Sequence, residues 1–311
     1  MYKKTFTTLT ASLILLTCTP NIINAKELDK TIYVEGADLN EEQAKETRED
    51  LGINNNVKKY TVSTSDVSQY TGGTYDTIYS SASIEPKKFG SGVDVDIKTP
   101  ENITRITKEQ YINASITSGI KNANVNIASV KTVTGEGALT GIYKSLEEEG
   151  IEVDKQDIQN ANQEIDDLAS INDAQKNNGK DINEPLNNSV ADMKEQVADK
   201  KINGDEVSRE DVQKIVDETL KAKGLDDVLT ADQKTTIVNI IIKTSESQAM
   251  KQDPKSLKKQ ANDLKDKLSD KVKDLDTKEN RGIIQNTIDS IIEFFQDLIN
   301  GIKDFFKGLF N

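Results

Sequence analysis

The 311-residue chain has no histidine and no tryptophan, and its one cysteine, Cys18, lies close to the amino terminus. Without histidine, a Ser–His–Asp triad and histidine-ligated zinc or iron are excluded. If residues 1–25 are removed, the remaining chain has no thiol, so disulfides, cysteine nucleophiles and cysteine metal sites are excluded as well. We therefore predict no metal site and no cofactor.

The chain also has fewer basic than acidic residues. The chain has 40 Lys and Arg against 53 Asp and Glu, a formal net charge of −13. Nucleic-acid binding needs a basic surface that neutralises phosphates, so no nucleic-acid partner is predicted. The same balance disfavours adhesion to anionic lipid by charge alone. With 35% hydrophobic and 30% charged residues, the composition favours helices that each carry one apolar stripe.

Residues 1–25 have the pattern of a secretory signal peptide. Lys3 and Lys4 form a basic start, a hydrophobic stretch covers residues 9–18, and Ala25 offers a small-residue cleavage point. The stretch is too short to span a bilayer. We predict a secreted or cell-envelope protein that is cleaved near Ala25. The alternative is lipid attachment at Cys18, because residues 15–18 loosely resemble a lipobox; the protein would then be tethered.

Residues 26–150 alternate between strand and helix patterns, which predicts an α+β domain. Asn40 and Thr107 each stand three residues before a Gln, as in a capping box, and predict helices over 41–51 and 108–118. Gly119 then stands where a helix end favours positive φ. A further helix is predicted from 137 to about 149. Strands are expected at 31–34, 57–67, 78–84, 93–97 and 125–130.

From residue 151 the pattern becomes helical, with polar joints. The sequence predicts a helical region over 151–250, a charged helix or linker over 251–281 and an amphipathic helix over 282–311. Within the first region, helices are expected over 158–171, from Ser208 to Gly224 and from Thr230 onward. Residues 172–185, rich in Asn and Asp, are predicted to form a loop. The fold class is therefore α+β, an N-terminal mixed region followed by an all-helical region.

Residues 282–311 carry the strongest amphipathic pattern of the chain, with apolar residues at steps of three and four. Three interpretations are open: packing against the protein's own helices, contact with a membrane surface, and helix-to-helix oligomerisation. Acidic residues outnumber Lys303 and Lys307 here, so membrane binding would depend on the apolar face. The predicted membrane or partner contacts are Ile288, Ile291, Ile292, Phe295, Leu298, Ile299, Ile302, Phe305, Phe306 and Leu309.

Three motifs suggest chemistry, but each is weak. Asp94 and Asp96 alternate along a predicted strand and could share a cation, although a solvated strand face is the simpler interpretation. Residues 199–210 have the length of a calcium loop, but Lys201 occupies a ligand position. Gly135-Glu136-Gly137 precedes a helix and could bind an anion, yet it lacks the P-loop lysine and more often marks a structural turn.

One stretch resembles a known family. Residues 106–114 (ITKEQYINA), 117–125 (TSGIKNANV) and 137–144 (GALTGIYK) look like the core of the secreted YpuA-like proteins of Gram-positive bacteria, which contain a domain of unknown function. Residues 39–43 (LNEEQ) and 80–82 (SSA) fit the same pattern, as does the helical region to about 250.

The resemblance implies secretion and a shared fold, and it supplies no catalytic residues. This chain departs from the family at residues 129–135 (SVKTVTG), where a run such as Ala-Pro-x-x-Val-Ser-Gly is typical. We predict a non-catalytic binding or structural role in the envelope, with a membrane surface or an envelope protein as the partner of the C-terminal helix. The alternative is an envelope hydrolase that uses carboxylates, which a buried, closely spaced Asp/Glu pair in a cleft would favour.

Overall fold

The structure is a computed structural model that describes residues 28–274, apart from residues 55, 56, 90, 91 and 152. The predicted signal peptide with Cys18 and Ala25 lies outside the described residues, and so does the predicted helix 282–311 with all of its contact residues. Within the described part of the chain, no helix is both long enough and apolar enough to cross a bilayer.

A five-stranded mixed sheet forms the first part of the molecule, with the strand order β2-β1-β3-β5-β4. Strands β1 and β2 pair in parallel, as do β4 and β5, whereas β3 pairs antiparallel with both β1 and β5. The strands are β1 (Ile32–Gly36), β2 (Lys58–Val62), β3 (Ser81–Pro86), β4 (Val93–Ile97) and β5 (Ala123–Ala128).

Ten helices are described, four between or after the strands and six in the second part of the chain. The fold class is α+β, as predicted. The helices are α1 (Glu41–Asp50), α2 (Thr64–Thr71), α3 (Lys108–Thr117), α4 (Glu136–Glu148), α5 (Lys155–Asn177), α6 (Asn183–Ile202), α7 (Arg209–Ala222), α8 (Ala231–Glu246), α9 (Gln248–Gln252) and α10 (Pro254–Asp274).

The helix starts follow the local chemistry of the sequence. Several helices begin with a capping box, in which the N-cap side chain accepts a hydrogen bond from the backbone N–H of the third helical residue. The side chain of that third residue accepts in turn from the backbone N–H of the N-cap. The N-caps of four of these helices are Asn40, Thr107, Ser208 and Thr230. At the end of α3, Gly119 has φ +76°. A Cβ on Gly119 would also lie 2.8 Å from the Cβ of Ala249, so both the turn and the packing require glycine.

The two faces of the sheet differ because side chains alternate along each strand. Ile32 and Val34 of β1 face the side that α4 covers, and Tyr33 packs on the other side with Leu51 and Ala128. Helix α4 approaches β1 closely at Gly141, where a Cβ would lie 2.4 Å from Val34 Cγ1. The larger apolar cluster continues from β3, β4 and β5 through α3 and α4 into α5, α6, α7, α8 and α10.

Two of the predicted elements are wrong. Residues 64–67 belong to α2 and not to the strand expected over 57–67, because Ser63 and Asp66 form a capping box that starts a helix immediately after β2. The loop predicted over 172–185 spans only 178–182, since α5 continues to Asn177 and α6 begins at Asn183. Helix α6, which has no counterpart in the prediction, contacts α3, α5, α7, α8, α9 and α10.

A fully buried salt bridge joins three of these helices. Lys194 of α6 and Glu164 of α5 are 0% and 1% exposed, and Lys194 Nζ donates to Glu164 Oε1 over 2.6 Å. Lys194 Nζ also donates to Thr117 Oγ1 over 2.8 Å and to the carbonyl oxygen of Asn113 over 2.9 Å, both on α3. Thr117 Oγ1 in turn donates to Glu164 Oε2 over 2.5 Å. All three ammonium N–H groups therefore have acceptors. Burial lowers the pKa of Lys194, and the nearby Glu164 carboxylate partly opposes that shift.

Lys194→Met should lower the free energy of unfolding by about 3–5 kcal/mol, because Glu164 would be left buried without its cation. Urea denaturation at neutral pH measures the loss. Adding Glu164→Leu should recover much of it, since the double variant buries no unpaired charge. The matched control is Lys214→Met, which breaks the exposed Lys214–Glu218 pair on α7 and should leave stability nearly unchanged. Equal effects of the two lysine substitutions would contradict the argument.

Candidate functional site

A cavity of about 410 Å³ lies where the end of α3 meets the beginnings of α5 and α9. We call it the α3–α9 cavity. Its walls come from Leu28, the end of β3, the α3–β5 turn at 118–123, the end of α4, α9 and four residues around the start of α5, namely Ile151, Val153, Asp154 and Asp157. The volume lies in the range of small-molecule sites. A second depression, between α5 and α8, is a more open groove lined by Ile242 and five residues with polar or charged side chains.

The α3–β5 turn forms the wall on the side of the sheet, and hydrogen bonds fix its shape. Asn122 is the one non-glycine residue with positive φ among the described residues, at +52°, a conformation that Asn tolerates. Its carbonyl oxygen accepts from Lys87 N over 2.8 Å, and its Oδ1 accepts from Gly92 N over 3.3 Å. These bonds anchor the turn to the end of β3 and the beginning of β4.

Two lysines belong to this wall. Lys87 Nζ lies 2.6 Å from Asp94 Oδ2, and Lys121 Nζ lies 2.7 Å from Asp253 Oδ2. The Lys121 side chain remains 42% exposed. Asp253 also accepts from Ser256 N at the beginning of α10, over 3.0 Å. Each ammonium group is therefore held in a defined position beside the cavity.

Two aspartates at the beginning of α5 supply the negatively charged groups of the lining. Asp154 is the N-cap of α5, and its Oδ1 accepts from Gln156 N and Asp157 N over 2.9 and 3.0 Å. Asp157 Oδ1 and Oδ2 accept from Gln248 N and Ala249 N over 3.1 and 2.8 Å. Burial raises the pKa of Asp157, and the two N–H donors oppose that shift. Since both carboxylates hold helix starts, their placement is explained without catalysis.

The apolar part of the lining combines both halves of the chain. Ile120 and Leu146 are buried, and Leu28, Ile151 and Val153 are partly buried. The cavity thus offers an apolar surface with cationic and anionic groups on separate elements. This combination suits a small ligand that has an apolar body and polar ends.

The sequence motifs are explained by contacts within the protein. Asp94 pairs with Lys87 and Lys267, and Asp96 pairs with Lys98 over 2.6 Å, so lysines neutralise the proposed cation ligands. Among the described residues, no group of three or more Asp, Glu, His or Cys side chains is placed to hold a metal ion.

The other two sequence motifs, Gly135-Glu136-Gly137 and residues 199–210, also have structural explanations. Gly135 is the N-cap of α4, and its carbonyl oxygen accepts from the hydroxyl group of Tyr111 over 2.8 Å. A Cβ on Gly137 would lie 2.8 Å from side-chain atoms of Ile78 and Ser80, so this helix start is closely packed. Residues 199–210 form the end of α6, a turn and the beginning of α7, and Asp199 pairs with Lys258 over 2.6 Å.

Sequence reasoning missed the α3–α9 cavity itself. Lys121 and Asn122 lie in the stretch that carries the family resemblance, but Lys87, Asp154 and Asp157 had no pattern that marked them. The lining comes from segments between residues 28 and 252 that are distant in sequence, and no spacing rule connects them.

Asp157→Ala should lower the free energy of unfolding by about 1–3 kcal/mol, because Gln248 N and Ala249 N would lose their acceptors. Urea denaturation measures this loss, and hydrogen exchange at these two amides should accelerate. Asp154→Asn is the control, since Asn caps a helix as well as Asp does, and it should leave stability close to that of the native chain. Unchanged exchange at 248 and 249 in Asp157→Ala would show that the bonds do not hold α9.

Comparisons with known proteins agree with the resemblance noted in the sequence. The chain is 30% identical over 313 residues to an uncharacterised protein, YpuA, of Bacillus subtilis (strain 168), and the alignment covers 98% of this chain and 100% of that protein. No solved structure matches the chain. A model of the family described as "Protein of unknown function (DUF1002)" matches residues 35–264, a range that contains the whole sheet apart from part of β1, together with α1 to α9 and part of α10. The chain therefore belongs to the DUF1002 family of proteins of unknown function.

Proposed function

We propose that this protein is an exported, non-catalytic binding protein of the cell envelope that takes up a small ligand in the α3–α9 cavity. The observation that carries the proposal is the cavity, which brings an apolar lining together with charged groups held by fixed bonds. Such preorganisation lowers the entropic cost of binding.

Two features of the sequence support export and a binding role. Residues 1–25 have the pattern of a secretory signal, and the rest of the chain contains neither His nor Cys, the residues most used as bases and nucleophiles at neutral pH. Both oxygens of Asp157, the buried carboxylate of the cavity, accept hydrogen bonds from backbone N–H groups of α9, so neither oxygen is free to exchange a proton with a substrate.

The C-terminal segment supplies a second contact in this proposal. Residues 282–311 contain five phenylalanines, and they carry an apolar face opposite a polar face on which acids predominate. Contact with a membrane surface would therefore come from burial of the apolar face and would not require anionic lipid. The segment would hold the protein at the outer surface of the membrane while the cavity stays accessible from water.

Ligand uptake is tested with 1-anilinonaphthalene-8-sulfonate, a fluorescent anion with an apolar body, on the full mature chain. Val153→Trp should fill the cavity and weaken probe binding at least about tenfold. Val207→Trp is the matched control: Val207 is also partly buried and directly precedes an N-cap, Ser208, but it lies outside the cavity. Equal probe binding by the native chain and both variants would show that the cavity takes up no such molecule.

Membrane contact is tested by co-sedimentation with liposomes of neutral and of anionic lipid. The mature chain should sediment with both, and a chain that lacks residues 280–311 should remain in the supernatant. Ile292→Asp, on the apolar face, should reduce binding, whereas Asp289→Asn, on the polar face, should not. Failure of the mature chain to bind either lipid would overturn the membrane role and favour a protein partner.

A further inference from the structure

The charged groups that line the α3–α9 cavity are balanced. Lys87 and Lys121 lie on the side of the sheet, and Asp154 and Asp157 lie at the beginning of α5. Their formal charges cancel, and the two signs occupy separate elements. A ligand that carries both signs can place each of its charges near groups of the opposite sign, which a ligand with one net charge cannot do.

The wall at the α3–β5 turn has unused hydrogen-bond donors. The Lys121 ammonium group has three N–H donors, and among the described residues its one hydrogen bond and ion pair is to Asp253. Within the described residues, the backbone N–H groups of Lys121 and Asn122 have no protein acceptor. Two backbone donors beside an ammonium group are the arrangement that captures a carboxylate.

The wall at α5 has an unused acceptor. Asp154 Oδ1 accepts two backbone N–H groups, but its Oδ2 has no partner in the described part of the chain. Asp157 uses both oxygens and so contributes negative charge without a free acceptor position. An ammonium group suits Asp154 Oδ2, because a charged donor makes a stronger hydrogen bond to a carboxylate than a neutral one.

We propose that the α3–α9 cavity binds a zwitterion with an aliphatic body, either an amino acid or a short peptide. The carboxylate lies at Lys121 and Asn122, the ammonium group lies at Asp154, and the aliphatic part packs on Ile120 and Leu146. This inference rests on the proposed function, since it names the ligand class of the same cavity. Selectivity follows because an analogue that lacks one charge loses the charge-assisted hydrogen bonds at that end of the cavity.

The test uses calorimetry on the mature chain with alanyl-leucine as the probe. Its N-acetyl derivative lacks the ammonium group, and its C-terminal amide lacks the carboxylate. The free dipeptide should bind at least about tenfold more tightly than either derivative, which corresponds to about 1.4 kcal/mol. Equal binding of the dipeptide and both derivatives would overturn the proposal.

Two variants assign the ends of the ligand. Lys121→Met should weaken binding of the dipeptide but not of the amide, which has no carboxylate to lose. Asp154→Asn keeps the N-cap and should weaken binding of the dipeptide but not of the N-acetyl derivative. Lys155→Met, an exposed lysine next to the cavity but outside its lining, is the matched control and should change neither. Equal losses for a peptide and its blocked derivative would contradict the assignment.

Binding of the fluorescent probe distinguishes failure of the zwitterion proposal from failure of the proposed function. If Val153→Trp abolishes probe binding while the native chain binds probe but no dipeptide, the cavity takes up ligands and the zwitterion proposal is wrong. If the native chain binds neither probe nor dipeptide, the proposed function is wrong as well.

Discussion

The packing of the helical half depends on the buried pair of Lys194 and Glu164. A charge that is fully removed from water costs several kcal/mol unless a partner of opposite sign and further hydrogen bonds surround it. Lys194 meets this condition in only one arrangement, with Glu164 of α5 and two acceptors on α3 within reach of its three N–H groups. If α6 shifted along either neighbour by one turn, it would bury the ammonium group without those acceptors. The pair therefore sets the relative positions of the three helices more strictly than apolar contacts can.

That constraint extends to the α3–α9 cavity through two short connections. Thr117 belongs to the buried network, and the next residue, Ser118, already lines the cavity. On α5, Glu164 and Asp157 are two turns apart on one face, so the salt bridge and the α9 cap share the same rigid helix. The cavity is thus bounded by elements whose separation the core determines. This is why we regard it as a preorganised site and not as a gap between loosely joined parts.

Local signals in the sequence predicted the elements that begin with a cap. The helices after Asn40, Thr107, Ser208 and Thr230 were predictable because the cap residue and its partner lie within four positions of each other. Helix α6 was missed for the opposite reason. Its buried face includes Asn187, Asn188, Ser189 and Lys194, so the apolar periodicity that marks a core helix is interrupted at the positions that carry the buried polar network. In α2, β-branched residues imitated a strand, and only the pair of Ser63 and Asp66 revealed the helix.

The candidate site was beyond sequence reasoning because its chemistry depends on which charges remain available after folding. The chain has many lysines and aspartates, and nothing local distinguishes Lys121 or Asp154 from the rest. What distinguishes them is their tertiary contacts: Lys121 is held by Asp253, more than a hundred residues away, and Asp154 lines the cavity with one oxygen bonded at a helix start and the other without a partner in the described part of the chain. Asp157, three residues later, has both oxygens committed to the N–H groups of α9. The two carboxylates have similar neighbours in the sequence, yet only Asp154 has an oxygen that can accept a hydrogen bond from a ligand. The difference arises from the packing of α9 against α5, which occupies both oxygens of Asp157.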